Sequence, residues 1–159
     1  MTRVLVVCLG NICRSPMAQR VLSAVARERG LAGRVEVESA GTHAGGWQST
    51  DLRALASLAR AGYDATARRA RRVAAADFER FDLVLAMDGD NLAALQQRCP
   101  PEQAHKLRLW LDFAPGPAGR EVPDPYYGDE PGFDQVLALC ESGARGVMDV
   151  IECDSGGSI

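Results

Sequence analysis

The chain has 159 residues, of which 47% are hydrophobic and 25% charged, and its formal net charge is −3. That length and balance fit one soluble globular domain with a full core. The slight negative charge excludes a general pull toward nucleic acid or an anionic membrane, so neither partner is expected and any anion site must be built locally.

Residues 4–7, Val-Leu-Val-Val, form a short apolar run rich in β-branched residues, as in a buried parallel strand. The run is too short for a signal peptide or a membrane span. Residues 16–29 are predicted as a helix, with Ser15 at its N-cap and Pro16 in its first position. Met17, Val21, Ala24 and Val25 share one face, and Gly30 can end the helix.

Residues 35–39 alternate as a second strand, followed by a Gly-rich loop over 40–50. A helix over 51–61 follows, with Leu52, Leu55, Ala56 and Ala59 at helical spacing. Residues 73–81 suggest a short helix, 83–87 a third buried strand, and 91–98 a helix after the turn at Asp88-Gly89-Asp90. Residues 107–111 are a weaker fourth strand. The proline-rich stretch 112–132 is a loop of a length that is usually functional. The last helix spans 133–152. Residues 1–153 are expected to make a single domain, and 154–159 a frayed tail.

Strands alternating with helices predict an α/β sandwich on a parallel sheet. In such folds ligands bind beyond the carboxyl ends of the strands, and Cys8 stands at that end of the first strand. Five cysteines with no secretion signal argue against a disulfide framework and for a reducing, cytoplasmic setting. Their spacing with His43 and His105 does not form a zinc site.

The chemistry is carried by Cys8-Leu9-Gly10-Asn11-Ile12-Cys13-Arg14-Ser15. A Cys followed six positions later by Arg and then by a hydroxyl residue leaves five residues to curl into a cradle of main-chain N–H groups. Gly10 permits a positive φ, and Asn11 tolerates one. The helix that follows adds its positive end. Arg14 can grip two phosphate oxygens with its planar fork. These groups favour the thiolate of Cys8, which is then placed for in-line attack on phosphorus. Ser15 can hydrogen-bond the sulfur and ease its departure.

Ester cleavage also needs a proton donor for the leaving oxygen. Asp124 is the candidate, in Val122-Pro123-Asp124-Pro125-Tyr126-Tyr127-Gly128, where two prolines stiffen its backbone. Taken alone, this segment reads equally well as a simple turn. Asp88 can orient Arg14 or cap the next helix; capping is the expected role. His43, Met17 and Met87 read as structural, and the Arg68–Arg72 cluster as a solvated face.

The loop and the Pro-Asp-Pro segment together resemble the low-molecular-weight protein tyrosine phosphatases. The resemblance covers nearly the whole chain. It includes VLVVCLGNICRSPM at 4–17, Ser39-Ala40-Gly41-Thr42, Ala86-Met87-Asp88 with Asn91-Leu92, and Asp124-Pro125-Tyr126-Tyr127-Gly128.

The resemblance implies a flavodoxin-like, three-layer α/β sandwich on a four-stranded parallel sheet of order 2-1-3-4. It implies Cys8 as nucleophile, Arg14 as phosphate clamp, and Asp124 as general acid and then base. Leu9 to Ser15 would bind the phosphate. Asn11 would shape the loop, with support from Ser15 and Ser39. Leu9, Tyr126 and Tyr127 would line the mouth. No metal or organic cofactor is implied. The implied substrates are phosphotyrosine proteins, with inorganic phosphate or a similar oxyanion as product or inhibitor. A reversible Cys8–Cys13 disulfide is implied under oxidation.

Two departures stand out. Arg68 occupies the place of a His that supports the loop Asn in the family, so the loop is expected to be held differently. The segment 42–51 is about one residue short, so Trp47 either walls the pocket or is an ordinary loop residue.

Three rival readings remain. An arsenate reductase needs two further cysteines in relay, and Cys99 stands alone after the third strand. A protein-arginine phosphatase is expected to carry a small residue where this loop has Ile12. A silent phosphotyrosine-binding module would have lost Cys8, Arg14 or Asp124.

Overall fold

The central strand, β1 (Thr2–Cys8), is apolar on both faces, because Val4, Leu5, Val6 and Val7 are all fully buried. The two-residue period of a strand sends Val4 and Val6 into one hydrophobic cluster and Leu5 and Val7 into another on the opposite face. The computed structural model describes residues 1–157.

β1 pairs in parallel with β2 (Val35–Gly41) on one side and with β3 (Leu83–Ala86) on the other, and β3 pairs with β4 (Leu107–Leu109). The sheet therefore has four parallel strands in the order β2-β1-β3-β4, as expected. The chain crosses from one side of β1 to the other, which leaves a crevice at its carboxyl end, directly at Cys8.

The first face is covered by α1 (Arg14–Glu28), α2 (Leu52–Arg60) and α5 (Glu130–Gly157). The second is covered by α3 (Asp77–Arg80) and α4 (Gly89–Arg98), which contribute Phe78 and Leu95 to its core. None of the described helices is long and apolar enough to cross a membrane.

Several expected boundaries move. α1 begins at Arg14, and its N-cap is Cys13 with no side-chain cap bond, so Ser15 does not cap it. The Ser15 hydroxyl is turned inward to Cys8 and Asn11 instead. Gly30 does end the helix, at φ 73°.

α2 buries Ala54, Ser57 and Leu58, while Leu52 of the expected face is 80% exposed. Arg53, Ser57 and Arg60 mark a polar side, but the apolar arc opposite it is wide, so the pattern alone does not place the core contact within that arc. Leu58 in the core and the 2.7 Å bond from Ser57 to Asp134 settle it.

The expected helix over 73–81 shrinks to the four residues of α3, because Val73 is drawn to the sheet edge by its N–H bond to the Gly41 carbonyl. Two 3-10 turns, Pro101–Lys106 and Trp110–Phe113, flank β4 without having been anticipated. α5 runs through Gly157, beyond the expected end at 152; the remainder of the expected tail, 158–159, lies outside the described residues.

Candidate active site

The loop between β1 and α1 is folded by its carbonyls. Those of Cys8, Leu9, Ile12 and Cys13 accept from the N–H groups of Thr42, His43, Asp51 and Met17 at 2.8–3.2 Å. Among the described residues, no protein acceptor takes an N–H of residues 9–13. With the carbonyls bound outward, those amides are left for an anion.

Asn11 makes the turn. It is the only non-glycine residue among those described with positive φ, at 57°. Its Nδ2 donates to Ser15 Oγ at 2.9 Å and to Ser39 Oγ at 3.0 Å, and its Oδ1 accepts from the Arg71 N–H at 3.0 Å. Ser39 in turn donates to Gln19 at 2.8 Å.

The expectation for Gly10 is corrected: its φ is not positive, and a Cβ there would make only ordinary contact with Ile12 at 3.7 Å. Gly41 is the sterically required glycine, since a Cβ there would stand 2.7 Å from the Leu9 carbonyl oxygen and 3.0 Å from the Asn11 nitrogen.

Cys8 is 3% exposed, and its sulfur lies 3.0 Å from the Ser15 hydroxyl. Arg14 is buried, yet its guanidinium is well partnered. Nη1 donates to Asp88 Oδ2 at 2.6 Å and to the Val122 carbonyl at 3.1 Å, and Nη2 lies 3.6 Å from Asp124 Oδ2. Burial pulls the Arg14 pKa down, but the Asp88 hydrogen bond and the charges of Cys8, Asp88 and Asp124 outweigh it, so it rises from its ordinary value. Asp88 fills both roles considered for it, because its other oxygen accepts from the Asn91 N–H at 2.7 Å and caps α4.

Burial first, and then the charges of Asp51, Cys8 and Asp124, push the Cys13 thiol up. Cys13 is therefore held as the neutral thiol. Both are free and both line the same pocket.

The pocket above Cys8 has a volume of about 290 Å³. Leu9 to Arg14 form its base, except for Asn11, which points away. Asp124, Tyr126 and Tyr127 form one wall, so the structure brings together the loop and the distant Pro-Asp-Pro segment. Asp124 is partly exposed, and its Oδ1 accepts from the Tyr126 N–H at 3.1 Å. The two tyrosine rings meet edge to face at 5.0 Å, with Tyr127 almost fully exposed.

Trp47 does not line the pocket; it is 84% exposed. The segment around it pairs with residues 68–70 through the Ala70 to Gln48 and Thr50 to Arg68 main-chain bonds. That pairing turns Gln48 inward and Trp47 outward. The opposite wall is His43 and Gln48, which sequence reasoning missed. His43 is fixed there by a 2.9 Å bond between Nδ1 and Thr42 Oγ1. Arg68 is exposed and makes no hydrogen bond to Asn11, and the loop Asn is held by the Arg71 main chain in its stead.

Arg53, also missed, ties the two parts of the site. It pairs with Asp51 at 2.9 Å, donates to the Gly128 carbonyl at 3.3 Å, and lies 5.6 Å from the Tyr126 ring centroid. Asp51 meanwhile donates its N–H to Ile12. An Asp-x-Arg at a helix start is the signal that was available, but nothing local points it toward residue 126. Among the described residues, no three His, Cys, Asp or Glu side chains are grouped to hold a metal ion.

The chain matches the family model for low molecular weight phosphotyrosine protein phosphatase over residues 3–156. It is 43% identical over 152 residues to a low molecular weight protein-tyrosine-phosphatase of Streptomyces coelicolor, covering 92% of this chain and 91% of the relative. A solved low molecular weight phosphotyrosine phosphatase from Vibrio cholerae superposes with a TM-score of 0.89 at 39% identity, over 96% of this chain and 97% of the other. A protein tyrosine phosphatase from Entamoeba histolytica gives the same TM-score at 36% identity, over 99% of both chains. On its sequence and its fold alike, this chain belongs to the low molecular weight phosphotyrosine protein phosphatase family.

Proposed function

We propose that the protein hydrolyses phosphotyrosine monoesters in proteins through a cysteinyl-phosphate intermediate. The observation that carries this reading is the convergence of the Cys8 sulfur, the Arg14 guanidinium and the Asp124 carboxylate on one pocket. Relatives named as tyrosine phosphatases support it.

The Cys8 thiolate attacks phosphorus, and the bond from phosphorus to the tyrosine oxygen breaks. Asp124 gives that oxygen its proton. Water then attacks the phosphocysteine, Asp124 takes the proton, and the sulfur leaves as thiolate beside the Ser15 hydroxyl. Arg14 and the loop amides stabilise charge on the transferred oxygens throughout. Inorganic phosphate is released and competes for the same cradle. The bulk of Ile12 at the pocket base crowds a guanidinium-bearing phosphoarginine substrate, which favours phosphotyrosine. Five unpaired cysteines fit a reducing, cytoplasmic setting.

The test compares a phosphotyrosine peptide with a chromogenic aryl phosphate at mildly acidic pH. Cys8→Ser and Arg14→Ala are expected to abolish turnover of both. Asp124→Ala should slow the tyrosine ester by about 10²–10⁴-fold and the activated phenol far less. Equal slowing of both would remove Asp124 as proton donor, and turnover by Cys8→Ser would remove the mechanism.

A further inference from the structure

A second cavity, of about 150 Å³, lies behind the phosphate loop and shares no lining residue with the catalytic pocket. Its floor is the side chain of Asn11, the residue that sets the bend of the loop. Four arginines line it, Arg20, Arg68, Arg69 and Arg71, against one carboxylate, Glu38.

That carboxylate is already engaged, by Arg80 at 2.5 Å and Arg71 at 3.5 Å. Arg20 pairs with Asp64 at 2.8 Å and Arg71 with Asp77 at 2.9 Å. Arg68 and Arg69 pair with no carboxylate among the described residues. The excess of positive charge at the cavity therefore rests on Arg68 and Arg69, at its exposed rim. Burial first, and then the nearby Arg68 charge, push the Arg20 pKa down against the opposing charge of Asp64. Pro16, Leu55 and Leu58 add an apolar wall, which strengthens any charge pairing made there. Ser39, Thr50 and Thr66 bring hydroxyls to the same space.

We infer that this cavity binds a phosphate dianion, free or as the headgroup of a small phosphomonoester, and acts on the phosphate loop from behind. Arg68 and Arg69 supply the charge-assisted bonds. Arg71 is the lever, because its main-chain N–H is the bond that holds Asn11 Oδ1, so drawing residues 68–71 toward an anion moves the residue that shapes the loop. Any effect on turnover rests on the function proposed above; the binding itself does not.

The test is a titration of the intact protein with inorganic phosphate, followed by calorimetry and by backbone amide shifts. Two sites are expected. Amides of residues 66–69 should titrate with one affinity and those of residues 9–10 with another. Arg68→Ala/Arg69→Ala, at two exposed and unpaired positions, should keep the fold and the site at 9–10, and weaken the site at 66–69 at least about tenfold. A repeat with glycerol 3-phosphate separates the sources: equal affinity assigns the shared headgroup, and tenfold weaker binding assigns free phosphate. A single site confined to residues 9–15 in the unmodified protein overturns the inference and leaves the catalytic cradle standing. Shifts at 66–69 with none at 9–15 would do the reverse. Should the double variant unfold, Arg69→Gln and the amide map of the unmodified chain still decide the matter.

Discussion

Replacing Asp88 separates the charge that holds Arg14 from the cap that starts α4. One oxygen accepts from Asn91 at 2.7 Å and the other from Arg14 at 2.6 Å. The Arg14 side chain is 3% exposed and that of Asp88 20%, so the pair lies largely out of water. Removing one partner of a buried pair costs about 3–5 kcal/mol, because the other charge stays buried. The Val122 carbonyl and the more distant Asp124 remain, which favours the lower end, about 3 kcal/mol. The lost cap adds about 1 kcal/mol. Asp88→Ala should therefore lose about 4 kcal/mol in urea unfolding and lower kcat/KM by about 10²-fold, since the guanidinium is free to swing. Asp88→Asn keeps a good cap and a neutral acceptor, and should lose about 1.5–3 kcal/mol. An alanine variant that loses only the roughly 1 kcal/mol of a cap, and keeps its kcat/KM, would refute the view that this carboxylate holds Arg14.

Three further outcomes are expected. Arg53→Ala should raise KM for phosphotyrosine peptides several-fold with little change in kcat, because the guanidinium braces Tyr126 and the Gly128 carbonyl; Arg53→Lys should restore part of the loss. The Arg53 side-chain bonds, against the opposing effect of burial, hold the Asp51 carboxyl below the usual carboxylate range, so its contribution to stability is complete above about pH 4 and is lost as pH falls below it; the gap between urea midpoints at about pH 3 and pH 6 should narrow in Asp51→Asn, the remainder coming from carboxyls such as Asp64 and Asp134 that are also held low. Gly146→Ala places a Cβ 1.8 Å from the Phe113 carbonyl oxygen and should destabilise by at least about 3 kcal/mol, whereas Gly33→Ala meets nothing within 4 Å and should be near neutral by the same unfolding assay.

The sheet was legible because its strands are short apolar runs, and the anion loop because Cys8, Asn11, Arg14 and Ser15 all fall within one short segment of sequence. Each residue type there has a chemical reason that needs no tertiary information. Asp124 was legible as a candidate from its flanking prolines, but only the resemblance favoured it over a simple turn. The opposite wall was illegible: whether Trp47 or Gln48 faces the pocket depends on the pairing of residues 48–50 with 68–70, a long-range register that local pattern does not encode. The face of α2 was misread for a related reason, as Leu52 and Leu58 are equally apolar and only the tertiary partners of Ser57 and Leu58 choose between them. Arg53 escaped because its partners Tyr126, Gly128 and Phe133 are remote in the chain.

Val122 moors the long segment between β4 and α5 in the core. It is fully buried, its N–H donates to the Met87 carbonyl at 2.8 Å, and its own carbonyl accepts from Arg14 at 3.1 Å. Asp124 lies two residues past that anchor, so its Cα can stray no more than about 7 Å from that of Val122. The proposed proton donor therefore travels on a short leash whose post is the proposed phosphate clamp, Arg14. Whatever excursions the distal tyrosines make, the carboxylate stays within reach of the sulfur-bearing loop.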